Sequence, residues 1–318
     1  MSWKNKTLPS SEAKPLMTIS VPASSANLGP GFDSIGLAVN RFLHLEVYAA
    51  EEWQFTSSSI HLADIPKGKK NMVYKVARAL AATKGKELPA CHVHMHSDIP
   101  LARGLGSSAA AIIAAIELAN QLADLQLTSE EKLRFASVLE GHPDNVGACL
   151  YGGLTVGMHT EQFTRVVLQQ IPSLDLVLMV PSEELLTSES RQVLPDQLDY
   201  KEAIRGSACA NVLVAALLAE DYELAGTMMN QDRYHHPYRT GLVPGLGEAL
   251  EDVKSYGVYG AALSGAGPTI LGLAPFGKGV EIAEQIAMDY PQYEVTAAKP
   301  CAQGAVVELN SLSIALSS

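Results

Sequence analysis

Asp98-Ile-Pro-Leu-Ala-Arg-Gly-Leu-Gly-Ser-Ser-Ala-Ala110 joins two segments of different hydrophobic period. Before it, Cys91–Ser97 alternates as a strand does; after it, Ser107–Ala123 is an apolar, alanine-rich run that reads as a buried helix. Gly104 and Gly106 accept backbone angles that other residues resist and let a ligand approach closely. The helix then presents the free amides of Ser107, Ser108 and Ala109 with the positive end of its dipole behind them. Taken alone the segment has two readings. It is an anion site, for which phosphate is the commonest occupant, or a tight turn capped by serines.

Two nucleotide motifs fail against it. A Walker A loop needs a lysine after its last glycine, and none follows Gly106. Gly104-Leu-Gly-Ser-Ser-Ala109 does match GxGxxA, but six residues separate the strand from the first glycine. No second strand ending in an acid follows, so a dinucleotide site lacks its context.

Working outward, strands are expected at Met17–Pro22, Ala38–Tyr48 and Trp53–Thr56, with a long small-residue loop over 23–33. A helix is expected over Asn71–Lys84, and Thr128 with Glu131 forms a capping box for another to about Leu139. Beyond Gly152-Gly153, strands at Leu154–Met158, Arg165–Leu168 and Leu174–Val180 precede helices at about Lys201–Ala219 and Tyr222–Met229. The remainder reads helix, strand, strand, helix, strand, strand, ending near Leu309. This is an α+β pattern. A tail over 1–16, a first domain over 17–165 and a second over 166–318 are the expected divisions.

Composition narrows the function classes. The 318 residues are 47% hydrophobic and 18% charged, an ordinary globular balance. A net charge of −11 repels phosphate backbones, which argues against a nucleic-acid binder while leaving room for one local anion pocket. Four separated cysteines without a CxxC pair fit a reducing compartment, and no signal peptide or membrane span is legible, so a cytoplasmic location is expected.

Three further segments share the small, polar character of the first. Pro22–Asp33 offers Ser24, Ser25, Asn27 and Asp33; Glu140-Gly-His-Pro-Asp-Asn145 puts two acids, a histidine and an amide within six residues; Leu263-Ser-Gly-Ala-Gly-Pro-Thr269 is a second glycine-rich turn. Each alone has a structural reading as a turn or cap. Together, in order and spacing, they resemble the galacto-, homoserine, mevalonate and phosphomevalonate kinase (GHMP) superfamily, and within it the homoserine kinases. Pro22-Ala-Ser-Ser-Ala-Asn-Leu-Gly-Pro-Gly-Phe-Asp33 and His142-Pro-Asp-Asn145 carry the narrower likeness; Pro100–Ala110 resembles the ATP loop of the whole superfamily. The resemblance runs from about residue 17 to 310.

What the resemblance implies is specific. The fold would be a two-domain GHMP kinase, an N-terminal domain like the second domain of ribosomal protein S5 and a ferredoxin-like C-terminal domain. ATP would contact Asn71, Pro100, Leu101, Ala102, Arg103, Gly104, Leu105, Gly106, Ser107, Ser108 and Ala109, with Mg2+ on Ser108 and Glu140. A hydroxyl and one carboxylate suit that ion, since they leave most of its octahedron to water and phosphate. The acceptor would be L-homoserine, a small zwitterionic alcohol. Arg191 and Arg239 would grip its carboxylate, because a guanidinium fork binds a carboxylate bidentately. Asn27 and Asp33 would face its ammonium, and His142, Asp144, Asn145, Thr187 and Gly265 would complete the pocket. Asp144, Asn145 and Arg191 are the expected catalytic set. Mevalonate kinases place an aspartate where Asn145 stands here, so no dedicated aspartate base is expected, with Asp144 the rival candidate.

The same resemblance makes a homodimer the expected assembly and inhibition by threonine a natural question. Kinases of other small alcohols, such as mevalonate or shikimate, and a non-catalytic metabolite sensor on the same fold are the competing functions. Asp33 with Asn27 argues for an ammonium at one end of the acceptor, and the intact Ser108–Glu140 pair argues against a sensor. His92, His94 and His96 share a strand face and read as a ladder rather than a metal site. His235-His236 has no evident carboxylate partner in the sequence, and nothing local would activate Cys149 as a nucleophile.

Overall fold

The computed structural model describes residues 14–169 and 172–310. The first part of the chain forms β1 (Met17–Ala26), β2 (Ile35–Ala49), β3 (Gln54–Ser57), α1 (Met72–Thr83), β4 (Cys91–Ser97), α2 (Ser107–Leu122), α3 (Ser129–Glu140), α4 (Asp144–Tyr151), β5 (Leu154–His159) and β6 (Thr164–Gln169). Alternation builds the sheet: Ile19 and Val21 of β1 and Leu43, Leu45 and Val47 of β2 are all buried on one face. The helix α2 is apolar nearly all round, and ten of its residues are buried. Its one buried acid, Glu117, takes both oxygens to Lys132 Nζ at 2.8 Å, which ties α2 to α3. Thr128 and Glu131 form the expected capping box at the start of α3.

The second part contains β7 (Leu174–Pro181), α5 (Thr187–Gln192), α6 (Tyr200–Leu218), α7 (Tyr222–Met229), α8 (His236–Arg239), α9 (Leu246–Asp252), β8 (Gly260–Leu263), β9 (Ile270–Pro275), α10 (Gly279–Asp289), β10 (Tyr293–Ala298) and β11 (Val306–Leu309). Strands β7 to β10 make an antiparallel sheet of order β10-β7-β9-β8. With helices in the first and last connections this is the β-α-β-β-α-β ferredoxin-like arrangement.

Four differences from the sequence reading matter for the site. Residues 23–26 are strand rather than loop: Ala23 to Ala26 pair with Val39 to Gly36, so the loop proper is Asn27–Ser34. Small residues are needed there for packing, since a Cβ on Gly106 would lie 2.1 Å from Ser24 Oγ. The helix α4 is absent from the sequence reading, because Gly147 and its eight-residue length hide it. A boundary at 165/166 falls inside β6, whose partner β5 lies in the first sheet, and the second sheet begins only at Leu174. Finally, β11 leaves the second part and pairs antiparallel with β1. The expected tail lies largely outside the described residues; within them, Leu16 N already donates to Val47 O at 2.7 Å.

Candidate active site

A cavity of about 390 Å³ draws its walls from both parts of the chain. Leu62, Ile65, Pro66 and Ile99 give it apolar surface, while Asn27, His142, Asp144, Asn145, Arg191 and Arg239 give it polar surface. The glycine loop and the first turn of α2 supply backbone. Gly106 is the residue before that turn and sits at φ +69°, and Ser107, Ser108 and Ala109, whose amides have no intrahelical acceptor, line the cavity.

The loop is stitched to both of its neighbours. Ser24 N donates to Leu105 O at 3.2 Å, Thr269 N donates to Arg103 O at 3.2 Å, and Ser264 Oγ donates to Gly104 O at 2.6 Å. Gly104 has φ +81° and a Cβ there would lie 2.2 Å from Ser264 O, so only glycine permits this closeness. Ser108 Oγ donates to Glu140 Oε1 at 2.8 Å, joining the start of α2 to the end of α3. That pair is an oxygen-only donor set beside a row of amides, which fits a hard cation carried on phosphate.

The short connection from α3 to α4 places the next group. His142 Nδ1 is hydrogen-bonded to Asp144 Oδ1, and the Asn145 amide donates to the same oxygen at 2.6 Å. Burial alone would lower the His142 pKa, but the Asp144 bond and charge, together with Asp33, outweigh it and hold it above 6.5. Asn145 Oδ1 accepts from Ser24 Oγ at 2.8 Å. A Cβ on Gly36 would meet Asp144 O at 2.1 Å, so the close approach of β2 fixes where α4 starts.

Two arginines come from distant segments. Arg191, near the end of α5, donates to Asp33 Oδ1 at 2.7 Å and to Oδ2 at 3.2 Å. Arg239 is 2% exposed; its Nε donates to Ser190 O at 3.1 Å and its Nη1 to Gly265 O at 3.0 Å and His235 Nδ1 at 3.3 Å. These commitments leave Nη2 as the edge that can take a ligand. Burial, then the neighbouring Arg191 charge, lower the Arg239 pKa to about 10, so it stays cationic at neutral pH. Asn27, at φ +74°, donates to Gly265 O at 3.0 Å and accepts from Asp33 N at 3.0 Å, which ties the first loop to the last turn.

Of the expected nucleotide residues, Asn71, Leu101, Ala102, Gly104, Gly106, Ser107, Ser108 and Ala109 line the cavity. Pro100, Arg103 and Leu105 are not among the lining residues. Leu105 is buried in the core, and Arg103 Nε donates to Pro181 O at 3.0 Å, joining the two parts of the chain. Asn71 caps α1 through Val73 N and also donates to Pro66 O. Glu140, Thr187 and Gly265 line the cavity too, whereas Asp33 is not in the lining and reaches it through Arg191.

Sequence reasoning missed several supports. Asp232 does pair with the two histidines: its Oδ2 accepts from the amides of His235 and His236 and lies 3.6 and 3.9 Å from their rings. Its position three and four residues upstream was the available signal. The cluster is occupied by its own bonds, since His235 Nε2 donates to Gly29 O and His236 Nε2 accepts from Leu263 N. The ladder histidines meet Thr56 instead, whose hydroxyl lies 2.8 Å from His92 Nε2 and 2.9 Å from His94 Nδ1. Cys149 is fully buried and its thiol is pushed up to about 12, which suits the expectation that it is inert.

Comparison with known proteins agrees with this layout. The family described as GHMP kinases N terminal domain matches residues 71–153, and GHMP kinases C terminal matches 213–292. The chain is 58% identical over 287 residues to the homoserine kinase of Halalkalibacterium halodurans, covering 90% of this chain and 93% of that one. It belongs to the homoserine kinase family. The homoserine kinase of Bacillus licheniformis is 50% identical, with 95% of this chain and 99% of the relative covered. A crystal structure of a homoserine kinase from Cytophaga hutchinsonii superposes with a TM-score of 0.79 at 28% identity, covering 96% of this chain and all of that one. A mevalonate kinase of L. major shares the fold at 19% identity and a TM-score of 0.64, covering 93% and 99%. The two-domain GHMP kinase fold is therefore that of this homoserine kinase-family chain, and the cavity lies where both family segments contribute walls.

Proposed function

We propose that the chain phosphorylates the side-chain hydroxyl of L-homoserine with ATP, giving O-phospho-L-homoserine on the way to threonine. One observation carries the reading beyond the family relationship. A glycine loop, a helix start and the Ser108–Glu140 pair share one cavity with two arginines suited to a carboxylate, one of them bound to Asp33 just outside the lining.

The amides of Ser107, Ser108 and Ala109 and the dipole of α2 would hold the phosphates. Ser108 and Glu140 would hold Mg2+, which neutralises phosphate charge and orients the transferring group when bound. Arg191 and the Nη2 edge of Arg239 would take the acceptor carboxylate, with Asp33 and Asn27 toward its ammonium. His142, Asp144, Asn145, Thr187 and Gly265 would enclose the hydroxyl arm. Asp144 Oδ1 is shared by His142 and the Asn145 amide, so Asp144 orients both neighbours in this reading. Positioning and charge neutralisation then supply the rate, and the proton leaves late to a phosphate oxygen or water. A homodimer in the cytoplasm is the proposed setting; among the described residues no helix is long and apolar enough to cross a membrane.

The test is an ADP-release assay with ATP and Mg2+, offering L-homoserine, L-serine, L-threonine, mevalonate and shikimate in parallel. Strong turnover with L-homoserine alone is expected. Turnover with mevalonate or shikimate instead would overturn the ammonium assignment. ATP binding without release with any acceptor would favour a sensor.

A further inference from the structure

The ring of Phe32 lies against both arginines of the cavity. The Arg191 guanidinium carbon stands 5.6 Å from the ring centroid and that of Arg239 stands 5.3 Å away. His235 stacks on the same ring at 5.5 Å and 26°, and Tyr234 at 6.5 Å and 23°. Each remaining hydrogen-bond partner holds one arginine alone: Asp33 binds Arg191, while Ser190 O, Gly265 O and His235 bind Arg239. The Arg191 charge opposes that of Arg239, and the negative face of an aromatic ring is a support that offsets the repulsion without consuming their N–H donors.

We infer that Phe32 is a positioning and specificity residue whose ring carries Arg191 and Arg239 side by side as one carboxylate clamp. The ring gives the pair its spacing, and the pair in turn makes the pocket prefer amino alcohols that also bear a carboxylate. His235 packs on the ring, with its Nε2 anchored on Gly29 O at 3.1 Å. This rests on the proposed function for the identity of the ligand, though not for the existence of the clamp.

Phe32→Leu keeps an apolar side chain and removes the ring, whereas Phe32→Tyr keeps the ring. With the aromatic support gone from both guanidinium groups, kcat/KM for L-homoserine should fall about tenfold in Phe32→Leu, mainly through KM. The KM for ATP and kcat/KM for 3-aminopropan-1-ol, which lacks the carboxylate, should hold, and Phe32→Tyr should match the parent. Equal losses on both acceptors, a raised ATP KM, or no loss at all would overturn the inference. A second readout is independent of activity: in protein carrying ¹⁵N-arginine, the Arg191 and Arg239 Nε–H signals should be displaced by the ring current and return in Phe32→Leu. Undisplaced signals in the parent would end the inference whatever the kinetics. Displaced signals in a protein that phosphorylates no amino alcohol would keep the clamp and sink the homoserine reading.

Discussion

Asp33 and Arg191, 158 residues apart in sequence, are bound to each other through both carboxylate oxygens. Each is expected to face an opposite charge of one ligand. An amino acid carries those charges on a single carbon, so it can replace each residue's partner with its own ammonium or carboxylate. Arg191→Ala should therefore raise the KM for L-homoserine about 10- to 100-fold, the usual loss for a charged hydrogen bond, with the ATP KM unchanged. Asp33→Asn should raise the same KM by less, because it frees Arg191 while removing the ammonium partner. Initial-rate kinetics in both substrates decide it.

Ser108 Oγ and Glu140 Oε1 stand 2.8 Å apart at the two helix ends. Glu140→Gln keeps the size and removes the charge. It should lower kcat by about 100-fold and shift the Mg2+ requirement upward, since a carboxylate is the stronger ligand for a hard cation. A magnesium titration of the rate is the check, and an unshifted requirement would remove Glu140 from the ion's shell.

Asn145 holds Ser24 Oγ by its side-chain oxygen. Asn145→Asp preserves that acceptor and installs a carboxylate in the cavity wall. Turnover should not rise. A several-fold gain at neutral pH with homoserine affinity intact would show that a base had been missing.

His142 and the pair His235–His236 titrate in opposite senses. Asp144 holds His142 above 6.5, so Asp144→Asn should lower that value, visible as an earlier deprotonation of its ring in an NMR titration. Burial keeps His235 and His236 neutral, His236 at about 4, whereas the unfolded chain protonates them near 6.5. Between those values the unfolded state binds more protons. The stability these two contribute is complete above about pH 6.5 and is lost on acidification, for His236 as pH falls toward 4. His142 has the reverse sign, contributing below 6.5 and losing it as pH rises through its folded value. Urea midpoints at about pH 7 and pH 5 should show a fall that His236→Gln reduces.

Gly104→Ala would put a methyl 2.2 Å from the Ser264 carbonyl at φ +81°. Backbone cannot yield there, so the variant should lose about 3 kcal/mol or more and bind nucleotide poorly. Gly85→Ala has a similar φ of +66° with nothing within 4 Å. It should cost only about 1 kcal/mol and leave binding intact. Thermal unfolding and a nucleotide titration on the two variants separate the close approach from the backbone angle.

Local patterns were legible because their causes are local. The alternation of Cys91–Ser97, the capping box of Thr128 and Glu131, and the glycines before the amides of α2 depend on neighbours a few residues away. Helix α4 was not, since its start is fixed by β2 pressing against Asp144 O across the fold.

From its residues alone this chain determined an α+β fold, a glycine-rich strand-to-helix turn and the four segments that place it among the GHMP kinases. Tertiary structure decided the rest. It sent β11 back to β1, paired Asp33 with Arg191, and put Phe32 against both guanidinium groups. The physical reason is sequence separation. Helix hydrogen bonds and caps act within a turn and leave a periodic trace. Charge pairs and ring contacts between residues more than a hundred positions apart exist only once both sheets have packed around the cavity.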